Sequence, residues 1–293
     1  MFRLSKRIVI FFILFLVNNT NVSYSQEINQ AYIQKFDNIE INWTDNKIKI
    51  KSIGVPSDRG TLPQRRLFAQ RMAKLNANKK LMEFINNIKV NSELVVKDII
   101  NQDEIKSKIN NFIRETKSIE VNNLSNGSVE VILEINLFNQ SARDIKGNLI
   151  NDDESLASII LNEKIIKSGK KSDLKPIDFK EKYSGLIIDC RDFKLEPALL
   201  PSILDEKNNK VYLDNDNFNL KNIINFSPVA YYNSFSEAKK SPRVGDNPLI
   251  VKPIKISGEY KTDIILGNET LKKILGINSI NKILDENRVI ILL

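Results

Sequence analysis

The sequence contains no histidine, an absence that removes Ser-His and Cys-His nucleophiles, imidazole proton shuttles and His-ligated metal sites. Its one cysteine, Cys190, excludes an intramolecular disulfide, a thiolate zinc site and an iron-sulfur site. No apolar run near twenty residues occurs anywhere, and no tandem repeat. What stays open is carboxylate chemistry, a hard-cation site built from oxygens, or a protein that works by contact alone.

What is present is 293 residues with 42% apolar and 27% charged side chains, enough for one large or two medium domains. Arg3, Lys6 and Arg7 precede ten apolar residues, Ile8 to Val17, and a polar stretch to Gln26, the layout of a secretory signal. Ten residues rise only ~15 Å as helix, about half a bilayer core. Ser23 and Ser25 suit the peptidase sites, so cleavage is expected near Gln26. With no Cys at that junction the expected product is exported and not lipidated, periplasmic or associated with the outer membrane. Removing residues 1–25 takes away three cations and no acid, lowering the formal charge of +8 to +5. The joint richness in Lys, Asn and Ile reads as codon bias, so the charge does not imply a nucleic-acid partner.

Period-two alternation at Lys47 to Ile53 predicts a strand with one buried face, ended by the turn residues Gly54, Val55 and Pro56. A long helix is predicted from Leu62 or Pro63. Its apolar stripe runs Ala69, Ala73, Ala77, Leu81, Phe84, Ile88, flanked by Phe68, Met72 and Ile85. The three alanines form a shallow ridge that would let the helix lie close to a sheet, with Arg65, Arg66, Lys74, Lys79 and Lys80 mostly outward. A strand over 90–100, a helix over 102–112 and a strand over 115–122 follow. Asn126-Gly127 between alternating apolar residues predicts a type I′ hairpin.

Residues 139–182, with one possible helix at 153–166 and the lysines 164, 167, 170, 171 and 175, read as a polar linker. Beyond it, Tyr183 to Arg191 reads as a buried strand, and residues 203–212 as a strand pair around a polar turn. A short helix is expected at 236–240, strands at 249–257 and 263–266, helices at 269–275 (closed by Gly276) and 279–285, and a central apolar strand at 288–293. The expected class is therefore α+β. A signal peptide (1–25) and an extension (26–41) precede a first domain (42–138) with a long helix on a mostly antiparallel sheet; after the linker, a second domain (183–293) has a mixed sheet with short helices.

The chemical candidates are carboxylates. Asp189 and Asp192 close a buried strand, where paired acids do acid/base work or hold Ca²⁺; beside Arg191, the simpler reading is a turn with an ion pair. Asp205 is a further acid for a hydrolase. Cys190 has no base to activate it and reads as a small buried hydrophobe. Asp214-Asn215-Asp216-Asn217 opens like a calcium loop but lacks the Gly at position six and the Glu at twelve. Arg243-Val244-Gly245 has tight-turn composition without phosphate-loop spacing, and Arg243 is kept as a weak functional candidate. No cofactor is expected.

Three segments carry a resemblance: Ile50-Lys51-Ser52-Ile53-Gly54-Val55-Pro56, Arg66 to Ala73 with Asn76, Ala77, Asn78 and Leu81, and Asn126-Gly127-Ser128-Val129-Glu130-Val131. Over residues 42–138 they resemble the Lpp-twenty-type outer-membrane lipoproteins and the N-terminal domain of flagellar assembly protein T. Tyr183 to Asp189, Pro197 to Pro201, Ile203 to Glu206, Val211-Tyr212, Arg243 to Gly245 and Asn247 to Leu249 resemble the second domain of longer exported relatives. The resemblance implies an envelope location and an assembly or scaffold role with a protein partner. The expectation is a non-enzymatic exported protein; the alternatives are a carboxylate-dependent hydrolase and a small-ligand or Ca²⁺-binding module. Convergent acids in an apolar pocket would favour the hydrolase, and dispersed acids with a bare apolar or basic groove the scaffold.

Overall fold

The computed structural model describes residues 31–100, 103–139, 154–166, 169–178, 181–213 and 219–293. The expected signal segment, Lys167, the side chain of Lys164 and the incomplete calcium loop at 214–217 lie outside the described residues. The fold is α+β, with antiparallel and parallel sheets. No helix among the described residues is long and apolar enough to cross a membrane.

The first sheet is antiparallel, in the order β1 (Ile33–Phe36), β2 (Ile39–Asn42), β3 (Lys47–Gly54), β5 (Val129–Asn136), β4 (Ser118–Asn123). Alternation sends Ile48, Ile50, Val131, Leu133 and Ile135 to one face, where all are buried. The other face carries cross-strand ion pairs, Lys47–Glu134 at 2.7 Å, Lys49–Glu134 at 3.4 Å and Lys51–Glu130 at 3.3 Å. Such partly exposed pairs contribute about 0.2–1 kcal/mol each and chiefly fix the register.

Helix α1 (Leu62–Ile85) starts where the Gln64 side-chain oxygen accepts the Thr61 backbone N–H at 2.9 Å, with Pro63 in its first turn. It covers the apolar face. Ala69, Ala73 and Ala77 are completely buried and Leu81 and Ile85 continue the ridge every fourth residue. The expected stripe is thus corrected at one position: Phe84 is half-buried and meets the Phe36 ring at 5.3 Å, tilted by 54°, while Ile85 takes its place against the sheet. The contact is close because Gly54 ends β3 directly beneath the helix. A Cβ on Gly54 would lie 1.9 Å from the Ala69 carbonyl oxygen and 2.5 Å from the Ala73 nitrogen.

Residues 90–100 do not form the expected strand. The Asn91 side chain accepts the backbone N–H groups of Glu93 and Leu94, both at 2.9 Å, and Asp98 accepts that of Val95, starting the one-turn helix α2 (Val96–Ile99). These side chains offer the backbone a local alternative to a ladder. Helix α3 (Asp103–Glu115) follows as expected. The hairpin at Asn126-Gly127 has a different turn: only Gly127 takes positive φ, +81°, and its N–H closes a four-residue turn on the Leu124 carbonyl at 3.1 Å. A type I′ turn requires positive φ at both central residues.

Two one-turn helices, α4 (Leu156–Ile160) and α5 (Glu163–Ile166), replace the single helix expected near 153–166. Strands β6 (Gly185–Asp189), β8 (Ala230–Tyr232), β9 (Pro248–Val251) and β12 (Val289–Leu292) form an all-parallel sheet, ordered β8-β12-β6-β9. Every residue of β6 and β12 is buried, and β12 is central. A small mixed sheet sets β11 (Asp263–Ile265) between β7 (Ile203–Leu204) and β10 (Lys255–Ser257). Pro253 divides the strand expected over 249–257 in two. Helices α6 (Leu220–Phe226) and α7 (Phe235–Lys240) connect the parallel strands.

The last two expected helices are largely one, α8 (Asn268–Asn281), which passes through Gly276. Glycine stands there because the segment before β6 presses on the helix: a Cβ would lie 2.1 Å from the Ile177 carbonyl oxygen. Buried apolar contacts run continuously from the first sheet to the second; the Trp43 and Tyr231 rings meet edge-on at 5.7 Å.

The alanine ridge has no spare volume. Ala73→Leu should destabilise the protein by about 1–3 kcal/mol in urea unfolding through overpacking, whereas Leu75→Ala, at a position 60% exposed, should change it by about 0.5 kcal/mol or less.

Candidate functional site

Strand β6 delivers Asp189, Arg191 and Asp192 to the carboxyl end of the parallel sheet, the edge where open sheets of this kind hold ligands. There, however, each acid is claimed by its own cation. Arg191 grips Asp189 with two hydrogen bonds, Nε to Oδ1 at 2.8 Å and Nη2 to Oδ2 at 2.7 Å. Those bonds hold the Asp189 carboxyl below its ordinary pKa against a smaller opposing effect of burial. Asp192 is exposed and pairs with Lys252 Nζ at 2.7 Å. Arg191 also lies 5.7 Å from the centre of the Phe235 ring. The two carboxylates are separately paired and form an ion-pair cluster.

Asp205 is the lock of a turn. Burial opposes its ionisation, but Oδ1 accepts the backbone N–H groups of Asn209 and Lys207 at 2.8 and 2.9 Å, and Oδ2 the Ser172 hydroxyl at 2.6 Å. Together these hold its pKa below the usual value. Cys190 is fully buried, and burial pushes its thiol up to about 12, which leaves essentially no thiolate at neutral pH. Arg243 clamps the end of α6: Nη1 donates to the Phe226 carbonyl at 3.0 Å and Nη2 to the Ser227 carbonyl at 2.7 Å. Burial draws this guanidinium down to about 10, so it stays a cation. Next to it, Val244 packs on Gly185, where a Cβ would lie 2.6 Å from the Val244 Cα.

An open cavity with a mainly apolar lining lies elsewhere. Phe36, Ile41, Trp43, Phe84, Ile88 and Pro197 line a groove of about 570 Å³. Phe36 is 48% exposed. The Trp43 indole N–H donates to Gln34 Oε1 at 2.9 Å, which fixes the ring, and Lys89 pairs with Glu196 at 3.1 Å on the rim. The groove lies against β1, which pairs with β2 and stands at the edge of its sheet among the described strands. Gln34 and Phe36, two residues apart, both line it. In the sequence Phe84 and Ile88 read only as part of a helix stripe, and the groove itself is not foreseen, because β1, β2, the end of α1 and the loop at 196–197 meet only in the folded chain.

Among the described residues no three acidic or cysteine side chains gather into a group that could hold a metal ion. Residues 185–293, from β6 to the end of β12, are similar to a family described as Treponema pallidum Tp0624, second domain. No curated protein matches the chain.

A group with depressed pKa stabilises the fold above its unfolded pKa and loses that contribution as pH falls through the folded value. Asp189→Asn should therefore lower stability at pH 7 by about 1 kcal/mol, since Arg191 is partly exposed. The difference from wild type should vanish as pH falls from about 4 towards 2. Urea unfolding across that range measures both; a difference that persists at the acid end would mean that the pair does not act through charge.

Proposed function

We propose that this is a non-enzymatic exported envelope protein that acts through protein contacts, in cell-envelope or motility assembly, with the aromatic groove beside β1 as its contact site. The observation that carries the reading is the contrast between two places. The acids at the end of β6 are each paired with a neighbouring cation, while the groove is open, aromatic and bordered by the edge strand of the described sheet.

An extended peptide segment fits that combination. Added as a strand to β1, it would hydrogen-bond that edge and turn every second side chain to the groove's side, where Phe36, Trp43 and Phe84 receive apolar groups. Main-chain bonding gives adhesion and the aromatic pocket gives selectivity. The resemblance of residues 42–138 to outer-membrane lipoproteins and the flagellar assembly protein supports the envelope setting, because the groove is built almost entirely from that region and its N-terminal extension.

A photo-crosslinking residue at position 36 should trap one discrete heteromeric adduct in intact cells, and the same residue at position 237 on α7 should not. Phe84→Ala should reduce the adduct by roughly tenfold, the loss expected of an aromatic anchor. Equal labelling from both positions would remove the groove from the reading. A hydrolytic turnover on glycan or ester substrates that Asp189→Asn with Asp192→Asn abolishes would replace it with an enzyme.

A further inference from the structure

A second cavity, of about 300 Å³, lies between the loop at 91–93 and the small sheet of β7, β11 and β10. That size is at the lower end for small-ligand sites. Three carboxylates line it, Glu93, Glu259 and Asp263, with Lys210 as the cation among its lining residues and the hydroxyls of Ser92 and Ser202 beside them. Asp263 is the first residue of β11 and only 7% exposed, and its Oδ1 has no hydrogen-bond partner in the structure. A carboxyl oxygen left in this state is unusual, because buried acceptors are almost always satisfied and each exception costs free energy.

Lys210, the cation among the described lining residues, does not supply the missing donor: its Nζ donates to the Ile166 carbonyl at 3.2 Å, and Asp263 Oδ1 stays without a partner, so the lysine offsets part of the acidity by charge alone. Burial dominates both titrations, raising the Asp263 pKa and lowering that of Lys210. Gly258 keeps the space in its present shape. Its φ is +86°, and a Cβ there would lie 2.3 Å from the Ser92 Cβ and 3.4 Å from Asp263 Oδ2.

The acids are spread around the cavity and do not converge as a metal site does. A bare ion is therefore a poor fit, and a cation of molecular size is a good one. We propose that this cavity binds a small organic cation, a guanidinium or primary ammonium head that donates to Asp263 while Glu93 and Glu259 attract the rest of the molecule. A charged donor on a buried carboxylate makes a short, strong hydrogen bond. This site is independent of the aromatic groove, and neither reading requires the other.

Isothermal titration calorimetry with three probes tests it: putrescine, N-acetyl-arginine methylamide and the uncharged isostere N-acetyl-citrulline methylamide. At least one of the two cations should bind, and the citrulline compound roughly tenfold or more weaker than its arginine counterpart, as expected where a charge-assisted bond is lost. Binding of putrescine alone identifies a free amine as the source; binding of capped arginine identifies a side chain carried by a peptide. Asp263→Asn, with thermal unfolding recorded to confirm its fold, should weaken the bound cation by the same factor. Should that variant fail to fold, Glu259→Gln with the arginine-against-citrulline contrast on the wild-type protein decides. Equal binding of arginine and citrulline compounds, no binding of either cation up to its solubility limit, or unchanged affinity in a folded Asp263→Asn protein would each overturn the proposal.

Discussion

The seating of α1 on β3 and β5 is the contact from which both cavities follow. With Ala69, Ala73 and Ala77 as the ridge and Gly54 beneath it, helix backbone meets strand backbone with almost no side chain between them. A larger residue at any of these positions lifts the helix, because a close-packed interior has no slack to absorb it. The helix is long, so its height at Ala73 decides where its far end lands. That end carries Phe84 to Phe36 and delivers residues 88–90 to the second half of the chain, where Leu199 and Leu200 donate to the carbonyls of Lys89 and Val90 at 3.0 and 2.7 Å. The same exit places Asn91, Ser92 and Glu93 on the polar cavity. Small residues in the middle of α1 thus hold both candidate sites in shape.

Among the contacts by which the parallel sheet meets this frame is one aromatic pair. Tyr231 stands on β8, next to the central strand β12, and its hydroxyl both accepts from the Ala198 N–H and donates to the Ala198 carbonyl, each at 3.0 Å. Its ring closes on Trp43 from the other half of the chain. A buried tyrosine needs such a partner for its hydroxyl, and finding it on the residue after Pro197 draws the 196–197 loop over the groove. The aromatic groove is therefore walled by both halves of the chain, although most of its area comes from the first.

Periodicity made the scaffold readable in advance. The alternation at 47–53, the alanine spacing in α1, the apolar run of β6 and the central position of β12 all depend on side chains within a few residues of one another, which is the range over which a sequence pattern speaks. The misreadings share the opposite cause. Residues 90–100 look like a strand until Asn91 and Asp98 capture the backbone, and Gly276 looks like a helix end until the distant Ile177 carbonyl explains why no side chain fits. Phe84 and Ile85 exchanged places because a helix stripe one residue wide cannot be separated from its neighbour by spacing alone. The groove was invisible for a stronger reason: its walls come from positions 34–43, 84–89 and 196–197, and nothing local marks residues that meet only across such distances.

The acids follow the same division. Asp189 is answered by Arg191 two residues away, and Asp205 by Lys207 and Asn209 within the same turn. Compensation that close forms as soon as the turn does. Asp192 differs only in drawing Lys252 from the adjacent strand's end, in full solvent, where the pair is weak. Asp263 is the contrary case. Its neighbours arrive from two distant parts of the chain, Ser92 from the loop after α1 and Ser202 with Lys210 from the segment around β7, and the assembly leaves one oxygen without a donor. In a chain without histidine, a carboxylate buried by long-range packing and short of one hydrogen bond is where binding free energy remains to be gained, and a run of neighbouring acids in the sequence is not a guide to it.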